Sequence, residues 1–293
     1  MHKIARMKHS HDNSGKLVYD FPTEVRIENT NRCNAHCIIC PREKMRRPLG
    51  VMPITLFRKI IDECAQHGCV KQVNIQGYGE PLLDTEFCEK VRYAKDKGIP
   101  LTYTVTNASI LTEDLSRDIV QSGLDKMKIS FYGTNAREYA LVHKGLNYEE
   151  ALRNILQLLD VKKRLRSRTP RVRIQYIGSP WKFAQFAVQW VGKTPVGFNK
   201  LHNYGRGRNY VSVRIDKKFR YCRIVERPIL QVLWNGDVVP CCYDFNGDLV
   251  LGNVDKTSVE EVWNGPAYRK FRQVHYEGNF GAYPLCLVCD KLR

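Results

Sequence analysis

The stretch that decides the fold is Cys33-Asn34-Ala35-His36-Cys37-Ile38-Ile39-Cys40, three thiols at spacing C-x3-C-x2-C. It follows Glu24-Val25-Arg26-Ile27-Glu28, whose period of two predicts a β-strand. A loop leaving a strand tip can wrap three thiolates around one inorganic centre, and soft thiolates select Fe–S clusters, zinc or Cu(I). Three ligands on a four-iron cluster leave one iron without a protein ligand and open to a small molecule. Zinc sites usually pair two C-x2-C knuckles. No second knuckle stands near Cys40, so the spacing favours a cluster over a zinc loop or unliganded thiols.

Outward from that loop, strand and helix patterns alternate. Ile54 to His67 carries Leu56, Phe57, Ile60, Ile61 and Cys64 at helical spacing, which turns Cys64 toward the core. Val73-Asn74-Ile75 is the next strand, and Phe87, Val91 and Ala94 mark a second helix with Cys88 beside its apolar face. Then come a strand Leu101–Thr106, a helix Leu111–Gln121 with Thr112 as N-cap, and a strand Lys126–Phe131. A helix Tyr148–Lys163, strands Arg171–Ile177 and Val196–Leu201, and a helix Trp181–Val191 between them complete the series. About six βα units predict an α/β fold, parallel strands with helices outside. Six is too few for a full eight-unit barrel, so the expectation is a partial, open (β/α)6 TIM-like barrel with its chemistry at the C-terminal strand ends.

The 293 residues suffice for one large α/β domain and a small one. No apolar run reaches the ~18 residues of a membrane span. Residues 1–21 read as a flexible basic tail rather than a signal peptide, and eleven cysteines without a secretory signal point to a reducing, cytoplasmic setting with metal-bound thiols. The formal charge of +17 would draw anionic partners: phosphorylated substrates, or an acidic electron donor such as flavodoxin or ferredoxin. The densest basic run, Lys162 to Arg171, lacks interleaved aromatic residues and reads as a solvated helix end, so no nucleic acid is expected.

From about His202 the alternation stops. Gln231 to Cys242 reads as a β-hairpin around Asn235-Gly236-Asp237, Phe245 to Leu249 as a second turn, and Val259 to Val274 as a helix. Cys222, one of Cys241 and Cys242, Cys286 and Cys289 make up four ligands that suit either a tetrahedral zinc or a four-iron cluster.

The thiol spacing after a first barrel strand resembles the radical S-adenosylmethionine (SAM) superfamily. The resemblance implies that Cys33, Cys37 and Cys40 hold a [4Fe-4S] cluster whose open iron chelates SAM, with hydrogen-atom abstraction from a substrate as the outcome. Gln76-Gly77-Tyr78-Gly79-Glu80-Pro81 matches the family's Gly-Gly-Glu-Pro-like stretch and makes Tyr78, Gly79 and Glu80 candidate SAM contacts. Asn107 in Thr106-Asn107-Ala108, Ser130 at the fourth strand's end and Lys144 in His143-Lys144-Gly145 are carried over in the same way. Two departures stand out: Ile39 where an aromatic residue is usual, and Ala108 where glycine is usual.

The C-terminal pattern is similar to the SPASM/twitch extension of that superfamily. It carries Cys222, Cys241, Leu251-Gly252-Asn253, Trp263-Asn264-Gly265 and Cys286-x2-Cys289. The implied organisation is a barrel over 22–201 and a twitch-like domain over 202–293 holding one auxiliary [4Fe-4S] cluster on Cys222, Cys241, Cys286 and Cys289. Two such clusters would lower the charge to about +14. Cys242 is then spare, either filling the hairpin's other face or donating a hydrogen atom to a substrate radical. Asp244 reads as a turn residue or a substrate contact. The expected reaction is oxidation of an unactivated carbon of a small, anionic or sugar-like metabolite. The alternatives are epimerisation with Cys242 as donor, modification of a peptide, and a non-enzymatic zinc module.

Overall fold

The computed structural model describes residues 9–11, 17–204, 208, 222, 224–225, 227–287 and 289–290. Its strands are β1 (His9–His11), β2 (Leu17–Tyr19), β3 (Glu24–Ile27), β4 (Gln72–Ile75), β5 (Leu101–Thr106), β6 (Lys126–Ser130), β7 (Arg171–Ile177), β8 (Val196–Asn199), β9 (Ile229–Val232), β10 (Asp237–Val239) and β11 (Gly252–Asn253). The helices are α1 (Ile54–His67), α2 (Phe87–Asp96), α3 (Glu113–Gln121), α4 (Ala136–Val142), α5 (Tyr148–Arg164), α6 (Pro180–Gln189), α7 (Val259–Trp263), α8 (Pro266–Tyr276) and α9 (Pro284–Leu287).

One sheet runs β11-β10-β9-β3-β4-β5-β6-β7-β8. From β3 to β8 every neighbouring pair is parallel, which is the expected partial barrel of six strands. Burial alternates along β3, β5 and β6, and the buried set (Val25, Ile27, Met127, Ile129) packs on Phe57, Ile60 and Ile61 of α1 and Ile155 and Leu158 of α5. Cys64 and Cys88 lie in this core, as their helical positions require. Thr112 caps α3, its side chain accepting from the Leu115 N–H.

The predicted hairpin forms: β9 and β10 pair antiparallel, with Gly236 at φ +86° in the turn. It does not build a sheet of its own. β9 adds to the barrel in parallel beside β3, from Glu24↔Ile229 to Ile27↔Val232, and covers an edge that would otherwise be open. The sequence reading of one helix over Val259 to Val274 is corrected. The chain breaks at Gly265-Pro266, and Pro266, lacking an N–H, starts α8 where no donor is needed. Within the segment read as a tail, β1 pairs antiparallel with β2, and Leu17-Val18-Tyr19 has the residue types that favour strands. No helix among the described residues is long and apolar enough to cross a membrane.

Candidate active site

A cavity of about 320 Å³ opens at the C-terminal ends of the barrel strands. Eleven of the candidate residues line it: Cys33, Cys37, Cys40, Tyr78, Gly79, Glu80, Asn107, Ser130, Cys241, Cys242 and Asp244. Cys222, Cys286 and Cys289 line a smaller adjoining cavity, and Cys241 faces both. Lys144 lines neither. Its side chain is exposed at the end of α4 and its carbonyl accepts from the His36 N–H. The buried neighbour, His143, reaches the cavity instead.

Side chains below the thiol loop fix it. Asn31 donates to the Pro48 carbonyl at 2.8 Å and accepts from the Gly50 N–H at 2.7 Å. Asn34 joins the loop to the end of β5, donating to Ser109 Oγ and accepting from Asn107 Nδ2. The Ile38 N–H donates to the Val142 carbonyl, tying the loop to α4. Burial, with the neighbouring thiols, pushes Cys37 up to about 12 and Cys40 up to about 11, and Cys33 is also raised. Thiols so placed ionise only beside a strong positive centre, and an iron cluster or zinc supplies one. Among the described residues no three His, Cys, Asp or Glu side chains are gathered as a site for one ion. Cys33, Cys37 and Cys40 line one cavity, and thiolates are the ligands that iron–sulfur clusters take.

His143 was not singled out as functional by sequence, and its position shows why it belongs here. The Tyr132 N–H donates to Nε2 at 3.2 Å, so that nitrogen is unprotonated. Burial holds His143 neutral, down to about 3, so its proton sits on Nδ1, 3.3 Å from Cys37 Sγ. The ring lies between Tyr132 and Tyr139, with centroids at 4.7 and 4.4 Å. The result is a fixed N–H donor to a predicted ligand sulfur.

The loop after β4 packs directly on the thiol loop. A Cβ on Gly79 would fall 2.5 Å from the Arg32 carbonyl oxygen and closer still to that of Thr30, so only glycine fits. Glu80 is buried and accepts from Thr106 Oγ1 at 2.6 Å, the Asn107 N–H at 2.7 Å and the Leu82 N–H at 3.2 Å. Desolvation outweighs those bonds and raises its carboxyl to about 7. A cationic amino group at this spot would restore the charge. Tyr78 differs from expectation: its hydroxyl donates to the Cys242 carbonyl and joins the two thiol regions. Ala108 holds φ +62°, the left-handed conformation that makes glycine usual at this place. Burial raises the Tyr132 phenol to about 12, with the nearby Ser130 hydroxyl working against that rise.

In the C-terminal region, Asp244 anchors a turn, accepting from the Asp248 and Leu249 N–H groups at 2.9 and 3.0 Å, and it also lines the main cavity, where a substrate contact was expected. His275 Nδ1 is held by the Phe271 carbonyl at 2.9 Å, and its Nε2 is 3.3 Å from Cys286 Sγ. Cys242 Sγ accepts from Arg26 Nη1 at 3.6 Å, and burial raises the thiol despite that guanidinium.

A parallel partial barrel carries one thiol triad at its mouth and a second thiol set beside it, and both sets have the ligand chemistry of a metal centre. The comparisons agree. The description "Radical SAM superfamily" matches residues 27–170 and "Iron-sulfur cluster-binding domain" (SPASM) matches residues 222–290. The chain belongs to the radical SAM superfamily and carries a C-terminal SPASM domain, the setting of a SAM-binding [4Fe-4S] cluster and an auxiliary Fe–S cluster.

Two curated relatives match nearly end to end. The tungsten-containing aldehyde ferredoxin oxidoreductase cofactor-modifying protein of Pyrococcus furiosus is 22% identical over 90% of this chain and 86% of its own. The S-adenosyl-L-methionine-dependent 2-deoxy-scyllo-inosamine dehydrogenase of Niallia circulans is 22% identical over 92% of each. Among solved structures, BtrN in complex with AdoMet and 2-DOIA aligns with TM-score 0.65 at 20% identity, covering 92% of this chain and 93% of that one. Streptococcus suis SuiB bound to precursor peptide SuiA aligns with TM-score 0.72 at 13% identity, covering 93% and 72%. These structural likenesses establish the fold.

Proposed function

We propose that this radical SAM enzyme oxidises an unactivated carbinol carbon of a small, polar, carbohydrate-like metabolite to a carbonyl. The observation that carries the reading is Cys241, which faces both the main cavity and the C-terminal thiol set. A substrate in the main cavity therefore lies against both. Near-full-length similarity to a SAM-dependent dehydrogenase supports it.

In this reading Cys33, Cys37 and Cys40 hold the first cluster, and Cys222, Cys241, Cys286 and Cys289 hold an auxiliary [4Fe-4S] cluster. Gly79, Glu80, Asn107 and Ser130 line the SAM position; Tyr78 braces it from the side through Cys242, and Lys144 is left out. When bound, the two clusters and SAM would supply hydrogen-atom abstraction, with one electron drawn from a flavodoxin- or ferredoxin-type donor, and one-electron oxidation of the substrate carbon. The substrate O–H proton passes to water. Glu80, held by three donors, is poised to receive a cationic amino group. His143 donates to Cys37 and sets that sulfur's basicity.

Incubation of reconstituted protein with SAM, dithionite and a panel of polyols tests this. The expected products are equal amounts of 5′-deoxyadenosine and ketone. One observation favours a second reading: Cys242 lines the same cavity and burial favours its protonated thiol. Epimerisation through Cys242 would instead carry solvent deuterium into unoxidised substrate and be abolished by Cys242→Ala.

A further inference from the structure

Three cationic side chains stand on the concave face of the barrel, apart from the residues predicted to contact SAM. Arg26, Lys128 and Arg173 occupy the middle of β3, β6 and β7, each flanked by residues buried on the opposite face: Val25 and Ile27, Met127 and Ile129, Val172 and Ile174. All three side chains therefore turn inward. Register places Lys128 beside Arg173 and beside Val105, a wall of the main cavity. Lys128 Nζ stands over the Tyr103 ring, 5.7 Å from its centroid, and Arg173 lies against Gly197, where a Cβ would meet its Nε at 2.6 Å. Arg26 itself lines the cavity and touches Cys242.

The carboxylates facing this set are already committed. Glu24 Oε1 takes Arg26 Nε at 2.6 Å and Asn74 Nδ2 at 2.7 Å. Glu28 is paired with Arg47 through two bonds of 2.6 Å. Among the described residues no carboxylate pairs with Lys128 or Arg173. Arg26 and Lys128 are half-buried and Arg173 is exposed, so the repulsion bears mainly on the two partly buried cations, and an anion among the three would relieve it. Burial first, and then repulsion from Arg173 and Arg26, holds Lys128 below its ordinary range.

We propose that Arg26, Lys128 and Arg173 form an anion subsite that seats a carboxylate or phosphate of the substrate, with the reacting carbon held toward Cys242. The proposal rests on the functional reading above and narrows it to an anionic metabolite. Arg173 supplies a planar fork for the anion, Lys128 a point charge, and Arg26 ties the anion's position to Cys242.

The test is equilibrium binding by calorimetry to the anaerobic holoenzyme with SAM present, using glucose, glucuronate and glucose 6-phosphate as probes. The expected result is binding of at least one anionic sugar and none of glucose. Binding should weaken with added salt and fall about tenfold or more in Lys128→Gln and in Arg173→Gln, with SAM affinity unchanged in both. Whichever anionic sugar binds tighter identifies the group as carboxylate or phosphate. Binding of glucose equal to that of its anionic forms, no binding of any probe, or variants that bind like the parent would overturn the subsite. Absence of 5′-deoxyadenosine under reduction would instead count against the radical reading, and the binding assay does not depend on it.

Discussion

Lys90→Met should destabilise the protein more than any surface charge change, and the reason is visible around one ammonium group. Lys90 sits on α2 with its side chain fully buried. Its Nζ donates to Asp84 Oδ2 and to the Met52 carbonyl, both at 2.7 Å. Asp84 in turn receives Asn29 Nδ2 at 3.0 Å, and the same amide holds the Pro81 carbonyl at 3.0 Å, directly behind the Gly79-Glu80 loop. Methionine keeps the length of the stem and deletes the charge. A carboxylate only 1% exposed is then left without its counterion, at a cost of about 3–5 kcal/mol. A chain of 293 residues has an unfolding entropy of roughly 0.6 kcal/mol per degree, so the melting temperature should fall by about 5–8 °C. Arg58→Gln is the internal control. It breaks a pair of the same 2.7 Å length whose side chains are 45% and 50% exposed, and it should cost no more than about 0.5 kcal/mol. Anaerobic thermal unfolding followed by circular dichroism measures both. Equal shifts for the two variants, or a shift under one degree for Lys90→Met, would refute the reasoning. Adding Asp84→Leu to Lys90→Met should recover part of the loss, because the unpaired charge goes with it.

Glu80 gives a prediction in pH. Its folded-state carboxyl, raised to about 7 by burial, holds its proton where the unfolded chain has already lost it. Stability is therefore lost as pH rises from about 4.5 through 7, by roughly 3 kcal/mol at pH 8. Glu80→Gln stays neutral, so its melting temperature relative to the parent should climb between pH 5 and pH 8 without SAM; a constant gap would contradict the assignment. The same variant should bind SAM more weakly at pH 8, measurable by equilibrium dialysis. Gly79→Ala forces a methyl against two carbonyl oxygens of the thiol loop and should cost about 1–3 kcal/mol and most SAM binding; a fully SAM-competent variant would argue against that packing. His143→Phe keeps a ring between Tyr132 and Tyr139 but removes the N–H aimed at Cys37. The midpoint potential of the reconstituted cluster, titrated by electron paramagnetic resonance, should become more negative, and an unchanged potential would show that no such bond forms.

What the sequence determined by itself is everything carried by short-range pattern. The C-x3-C-x2-C loop, the strand before it, the six βα units and the Asn235-Gly236 hairpin all follow from spacing and period, and they sit where those signals put them. Gly79 within its motif and Ala108 as a departure were legible through the family resemblance, and the structure added the crowding at 79 and the left-handed backbone at 108. The tertiary structure decided what depends on residues far apart in the chain. Nothing local in Ile229–Val232 says that it will run parallel beside Glu24–Ile27, because strand partners are chosen by the edge left open, not by the strand's own sequence. His143 reads as a loop histidine until folding brings it 106 residues back to Cys37, and Lys144, one position on, is turned out to solvent. Lys90 reads as the polar face of a helix until Asp84 and Met52 close over it. Arg26, Lys128 and Arg173 read as three ordinary alternating strand positions. Only closing the strands into a curved sheet puts them on one concave face, with Arg26 in the cavity wall, Lys128 beside Val105 of the same wall and Arg173 beside Lys128.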